Sequence, residues 1–361
     1  SYVLQFTPSK FDSVQNAVCD ADIYNGRFTL AGTTSGEAVQ KFCYTEDFVH
    51  YTAMSNYGID ERRMSVDGQY VYGINGPWIQ SNGFDAFLVP GSSAYHYPIA
   101  IAGVSRYALY LLVAYPDEED GDFSDITALG IIYASSSDSG ATWDFSEMDY
   151  VIPVPDDYKV YAGNFFDAVR LDDGTDVILV NLSNYGDPRV ILRRNAVWST
   201  PYHVLPIDIV DNYSYLRLGW LKCYDGVIYA TGSLGRAGST GTYAQEMGVV
   251  LRSTDGLRWS MDRYRYLGTA PFLSPLVMDD DYMYYIKSVD STCTIYRAER
   301  TPVFGCYNHK VTVTDDILGW QCTEANHGNP GAINIQLANA AYNYSTASCS
   351  EYIQEGDLVR L

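Results

Sequence analysis

Apolar and polar positions along this chain alternate in short runs, and helical 3.6-residue periodicity is nearly absent. One unit recurs: an apolar stretch, a polar turn, then an apolar-aromatic strand. Its copies are "CDADIYNGRFTLAG", "MSVDGQYVYG", "AGVSRYALYLLVA", "VRLDDGTDVILV", "LKCYDGVIYATG" and "LVMDDDYMYYIKS". The turns centre near Gly26, Gly68, Arg106, Gly174, Gly226 and Asp281. Most carry Asn-Gly or Asp-Gly, which supply positive φ to a tight hairpin at low cost. Each copy is followed by a third strand and a second polar turn, as in "GIIYASSSDSGATWDF" and "GVVLRSTDGLRWS". Six antiparallel sheets of about four strands each predict an all-β fold, a six-bladed β-propeller over residues 1–305. Residues 306–361 change character and read as a small C-terminal β segment.

Composition narrows the function. Hydrophobic residues make up 47% and charged residues 19%, enough for a large core and too few charges for disorder. No apolar run approaches the length of a membrane span, and no basic-then-apolar leader opens the chain, so neither a span nor a signal peptide is expected. A net charge of −21 with only 23 Lys and Arg excludes a phosphate-binding surface, hence nucleic acid as a partner. The 33 tyrosines suit half-buried strands and contact with sugars or proteins. Seven cysteines without C-x-x-C spacing make a zinc site unexpected, and the three N-x-S sequons (Asn181, Asn212, Asn343) do not imply glycosylation. No cofactor is implied. The acidic loop with Asp117, Asp120, Asp122 and Asp125 could cage Ca²⁺, but its spacing is not that of an EF-hand, and a solvated acidic loop is the favoured reading.

The turn Ser136-Ser137-Asp138-Ser139-Gly140-Ala141-Thr142-Trp143 fits the Asp-box pattern S-x-D-x-G-x-T-W. A shorter relative runs from Ser253 through Asp255 and Gly256 to Trp259, and worn versions follow Thr45 and Arg194. On these residues the chain resembles the sialidase-like β-propeller superfamily. Side chains of Ser136 and Asp138 can close the turn on backbone amides, Gly140 can take the left-handed position, and Trp143 can plug a gap, with Thr142 completing the pattern. This describes a fastener rather than a catalyst. The resemblance implies that such turns lie on the face away from the functional site.

If so, the opposite mouth of the central channel is the working face. Connections between blades repeat a Tyr-x-Tyr or Tyr-x-x-Tyr theme: Tyr95/Tyr97, Tyr158/Tyr161, Tyr213/Tyr215 and Tyr264/Tyr266. With Trp78, His96, Arg217 and Arg265 these tyrosines are expected to form an aromatic-polar surface that stacks on sugar rings and bonds their hydroxyls. The bland reading is that the rings pack between blades.

A sialidase needs an arginine cluster, an acid/base Asp and a Tyr paired with a Glu, and the F/Y-R-I-P segment that carries the family's first arginine has no match here. No carboxylate pair stands out among Asp60, Glu61, Asp156, Asp157 and Glu246. The segment "LGWQCTEANHGNPGAINI" (318–335) resembles segments of bacteriophage tail spikes and fibres, although Asn329 and Ile333 depart from the usual pattern. Together these features read as a non-catalytic, virion-associated or extracellular protein. Its expected partners are a host-surface glycan or glycoprotein and other virion proteins. A glycoside hydrolase of the sialidase-like superfamily and a structural virion protein are the alternatives.

Overall fold

In a computed structural model of the chain, the described residues are 2–6, 17–33, 40–54, 64–90, 98–116, 126–154, 166–182, 187–204, 213–236, 246–266, 275–289 and 292–299, with short strands between 309 and 353. The chain divides into two compact units, Ser1–Arg300 and Thr301–Leu361.

The first unit opens on β1 (Tyr2–Phe6). Five sheets follow, each from one continuous stretch. The first holds β2 (Ala17–Tyr24), β3 (Arg27–Thr33), β4 (Gln40–Thr45) and β5 (Thr52–Ala53). Next come β6 (Met64–Asp67), β7 (Tyr70–Asn75), β8 (Trp78–Ser81) and β9 (Phe87–Leu88). The third has β10 (Pro98–Ser105), β11 (Ala108–Pro116), β12 (Ile126–Ser135) and β13 (Asp144–Glu147), with β14 (Ile152–Pro153) also on β12. The fourth has β15 (Phe166–Arg170), β16 (Asp176–Asn181), β17 (Pro188–Arg194) and β18 (Val197–Trp198), with β19 (Tyr202–His203) also on β17. The fifth has β20 (Tyr213–Tyr224), β21 (Val227–Arg236), β22 (Glu246–Ser253) and β23 (Ser260–Tyr266). The last sheet combines β24 (Leu276–Met278), β25 (Tyr282–Val289) and β26 (Thr292–Glu299) with β1, which pairs antiparallel on the outside of β26.

The innermost strands form a closed ring. β2 lies against β6, β6 against β10, β10 against β15, β15 against β20, β20 against β24, and β24 against β2. The expectation of a six-bladed propeller built from six like copies is corrected here. Five blades are self-contained, whereas the sheet that closes the ring is a composite of the two ends of the unit. Pairing β1 with β26 covers a strand edge that would otherwise present unpaired amides, a long-range pairing that no local pattern announces. In the second unit, β27 (His309–Thr314) pairs with β30 (Ser348–Ile353) and β28 (Ile333–Gln336) with β29 (Ala341–Tyr344).

The polar turns between third and fourth strands are closed by their own side chains. Ser136 Oγ accepts from Gly140 N–H at 2.8 Å, and Asp138 accepts from Thr142 N–H at 2.8 Å and from Thr142 Oγ1 at 2.6 Å. These bonds, the Thr142 hydroxyl first, hold the Asp138 carboxyl down to about 2. Ser253 Oγ accepts from Gly256 N–H at 2.9 Å, and Asp255 from Leu257 and Arg258 N–H at 2.9 and 2.8 Å. Thr45 and Asp47 repeat the scheme with the amides of Phe48, Val49 and His50. Gly256 has φ +74°, and a Cβ there would sit 2.8 Å from Val177. Glycine is required on both counts.

Each turn also delivers an aromatic ring to the preceding sheet. Trp143 stacks on Phe87 at 4.2 Å and meets Phe84 edge-on at 4.7 Å. Phe48 stacks on Tyr284 at 5.5 Å, and Trp198 meets Tyr110 edge-on at 6.0 Å. Trp259 is 1% exposed among Val177, Leu179 and Val190, with its indole N–H on the Gly256 carbonyl at 2.9 Å. Such contacts add about 0.5–1.5 kcal/mol per ring pair beyond area burial. Removing the most buried of these rings, by Trp259→Ala, is expected to cost about 3–5 kcal/mol in urea unfolding. A loss below about 1 kcal/mol would show that the ring does not hold the two sheets together.

Candidate functional site

An innermost strand is paired on one side only, so its other edge carries amides that need acceptors. In this ring, side chains of the adjacent blade supply them. Asp20 accepts from Ala21 N–H at 2.8 Å on its own strand and from Val66 N–H at 2.7 Å on β6. Asp22 likewise accepts from Ile23 N–H and Gly68 N–H, both at 2.8 Å. Asp167 accepts from Ala168 N–H at 2.8 Å and Leu221 N–H at 2.7 Å on β20, and Ser65 Oγ from Gly103 N–H at 3.1 Å.

These clasps bring carboxylates to the axis. A cavity of about 300 Å³ lies there, at the end of the channel that carries the first-to-second hairpin turns. Asp22, Asp67, Asp167, Arg170, Lys222 and Cys223 line it. Lys222, from β20, reaches across to the Val66 carbonyl at 3.1 Å, Asp20 at 3.5 Å and Asp22 at 3.7 Å. Burial opposes its charge, but the surrounding aspartates outweigh that and hold its pKa above the ordinary lysine value. Arg170 is committed elsewhere, in a bidentate pair with Asp176 at 2.6 and 2.9 Å. Asp176 also accepts from Tyr110 OH.

Withdrawal from water pushes the Asp67 carboxyl up to about 6, helped by Asp22 and Asp20 and opposed by Lys222 and Arg170. Burial, and then Asp20, raise Asp167 to about 7 against the pull of Lys222 and two amides. Asp20 is raised as well, chiefly by burial. The channel therefore holds carboxyl groups that keep protons near neutral pH beside carboxylates ion-paired to a lysine. No group of three or more metal-ligating side chains, and no helix long and apolar enough to cross a membrane, occurs among the described residues.

The residues expected from sequence to form an aromatic mouth fare differently. Trp78 begins β8, 46% exposed, with the equally exposed Leu88 as its cross-strand partner. Arg217 is half-buried on the innermost strand β20, opposite Ser233. Tyr213 and Tyr215 lie on the same strand, but a bulge between them breaks the strict alternation expected with Arg217. Tyr264 and Arg265 are on β23, the outermost strand of its sheet, opposite Val249 and Gly248, and not at the entry to an innermost strand. Tyr95, His96, Tyr97, Tyr158 and Tyr161 lie outside the described residues, as do Asp117, Asp120, Asp122 and Asp125 and the carboxylates Asp60, Glu61, Asp156 and Asp157. Asn181, one of the sequons, is 6% exposed and donates to the Leu218 carbonyl at 2.7 Å.

Sequence reasoning passed over the acidic cluster. Its signal is an Asp-Ala pair inside an innermost strand, at Asp20-Ala21, with Asp22 next to it, and at Asp167-Ala168, together with a lone lysine in "LKCYDG". A charge in a doubly covered strand must have a partner.

No protein-family profile and no curated protein matches the sequence. Among solved structures, the chain is similar to a thermostable family-43 glycoside hydrolase, with 14% identity over 79% of this chain and 90% of that one, at a TM-score of 0.39. It is similar to an endo-arabinase from Bacteroides thetaiotaomicron VPI-5482, with 10% identity over 82% of this chain and 100% of that one, at a TM-score of 0.37. It is also similar to the Hadza microbial sialidase Hz136, with 10% identity over 82% of this chain and 68% of that one, at a TM-score of 0.36. Likenesses at this level assign no activity to this chain. They do correct the sequence reading, because family-43 glycoside hydrolases recur among them where the sialidase-like Asp-box superfamily was expected. The virion, bacteriophage-tail and non-catalytic readings drawn beside that resemblance are set aside with it.

Asp67 is more strongly protonated in the folded chain, at about 6 against 3.8 for a free side chain, so the folded state holds the extra proton between those values. Stability contributed this way is present at low pH and is lost as pH rises through about 6. Asp67→Asn is therefore expected to be more stable than the parent above that pH, by up to about 3 kcal/mol, and not below pH ~4, as read from melting curves across the range.

Proposed function

We propose that this chain hydrolyses glycosidic bonds outside the cell, with the acidic channel as its chemical centre. The observation that carries the reading is the Asp67 carboxyl, pushed up to about 6 on the wall of a cavity of about 300 Å³. Glycoside cleavage needs a carboxylic acid that keeps its proton near neutral pH and a carboxylate facing the positive charge that develops on the sugar ring. Asp67 fills the first role, donating its proton to the departing oxygen. Asp22 fills the second, its two oxygens oriented by Ile23 and Gly68 N–H at 2.8 Å each. Water then adds to the sugar carbon and its released proton restores Asp67, so that one glycoside and one water give a free sugar and an alcohol. Asp20 and Asp167 hold two amides in the same way but are buried, 3% and 5% exposed, and act as clasps between blades, whereas the Asp22 side chain is 20% exposed. The cavity is at the small end of ligand sites, the size of one sugar unit rather than a long chain.

A panel of chromogenic aryl furanosides, pyranosides and sialosides tests this directly. Turnover is expected on at least one, falling about 100-fold or more in Asp67→Asn while the variant melts no lower than the parent at pH 5. Silence across the panel, or turnover indifferent to Asp67→Asn, would overturn the reading.

A further inference from the structure

Asp67 is the one channel carboxyl without a hydrogen bond among the described residues, yet its backbone is held on both sides. Val66 donates its N–H to Asp20 at 2.7 Å and offers its carbonyl to Lys222 at 3.1 Å. Gly68 donates its N–H to Asp22 at 2.8 Å. Lys222 joins these anchors, standing 3.5 Å from Asp20 and 3.7 Å from Asp22. Around the ring, β20 is three strands from β6 in either direction, so this lysine spans the channel to reach the strand opposite its own. Its side chain is only 13% exposed, and Asp20 beside it 4%. Burying an ammonium at such a place is costly unless its charge is used.

We propose that Lys222 is a positioning residue for Asp67: strung across the ring, it fixes the peptide units flanking that aspartate and sets how tightly the carboxyl holds its proton. This rests on the hydrolase reading only for the reaction it serves, and the placement of the charge stands without it. The titratable and charged groups around Asp67 are Asp20, Asp22 and Tyr24 on β2, Tyr72 on β7, Asp167 and Arg170 on β15, and Lys222, Cys223 and Tyr224 on β20. β10 and β24 contribute only Gly103, Val104 and Met278 to the cavity. Lys222 and Asp22 thus act on Asp67 with opposite sign.

The experiment is a ¹³C-carboxyl titration of full-length protein labelled at aspartate, with the Asp67 resonance assigned by its loss in Asp67→Asn. Lys222→Met is expected to raise the Asp67 midpoint by about one unit or more, and Asp22→Asn to lower it. Lys222→Arg, which keeps the charge, should leave it within about half a unit of the parent. A midpoint unmoved in Lys222→Met with the fold intact overturns the proposal. Should Lys222→Met fail to fold, Lys222→Gln, which keeps a polar side chain and removes the charge, takes its place, and an unmoved midpoint there does the same. If these shifts appear while no glycoside is turned over, the positioning role holds and the hydrolase reading fails. Where turnover exists, the acidic limb of kcat/KM against pH should move with the titration midpoint in each variant, which a merely structural lysine would not produce.

Discussion

The rest of the structure depends on the edge of the innermost strand. A sheet that points its first strand at a central axis leaves that strand's second row of amides without a partner in its own blade. The innermost strands of neighbouring blades belong to separate sheets, so no backbone ladder joins them. The chain solves this with side-chain acceptors. Asp20 and Asp22 reach β6, Ser65 reaches β10, and Asp167 reaches β20. Each of these aspartates, with two amide donors, is a mechanical link between blades and also brings an ionisable group to the axis.

That solution creates an electrostatic problem of its own. Several carboxylates converge on one small, partly dry volume, where like charges cannot all ionise cheaply. Two responses are visible. Lys222 crosses the ring as an internal counter-ion, and the carboxyls it does not directly pair, Asp67 and Asp167, retain protons to about 6 and about 7. A propeller axis assembled to satisfy backbone amides thereby becomes a place with an acid, a carboxylate and a base-strength gradient between them. The chemistry proposed above grows out of the same interactions that hold the blades in register.

The outer part of each blade follows a different logic, and one that the chain writes locally. Turns such as 136–143 and 253–259 close on their own Ser and Asp side chains within four residues. Their hydrogen bonds need no other part of the molecule, so a short pattern reveals them. The destination of their aromatic rings is another matter. Read along the chain, Trp143 plugs a gap beside its turn, but Trp143, Trp198 and Trp259 each pack against the sheet before their own. The face expected to carry the site shows the same limit. Tyr264 and Arg265 belong to an outer strand and Tyr213 and Tyr215 straddle a bulge, so a shared sequence theme did not mean a shared place.

By itself the sequence determined the hairpins, the turn chemistry and the all-β character, because period-two alternation, Asn-Gly and Asp-Gly turns and Ser/Asp side-chain closures act over a few residues. Tertiary structure alone decided how the ring closes, with β1 on β26, and where the charged residues of the innermost strands meet. Val66 and Lys222 are 156 residues apart in the chain and 3.1 Å apart at the axis. No local propensity encodes such a contact. It exists because the ring turns each blade's first strand toward the same line, and the amides and charges there must find partners in one another.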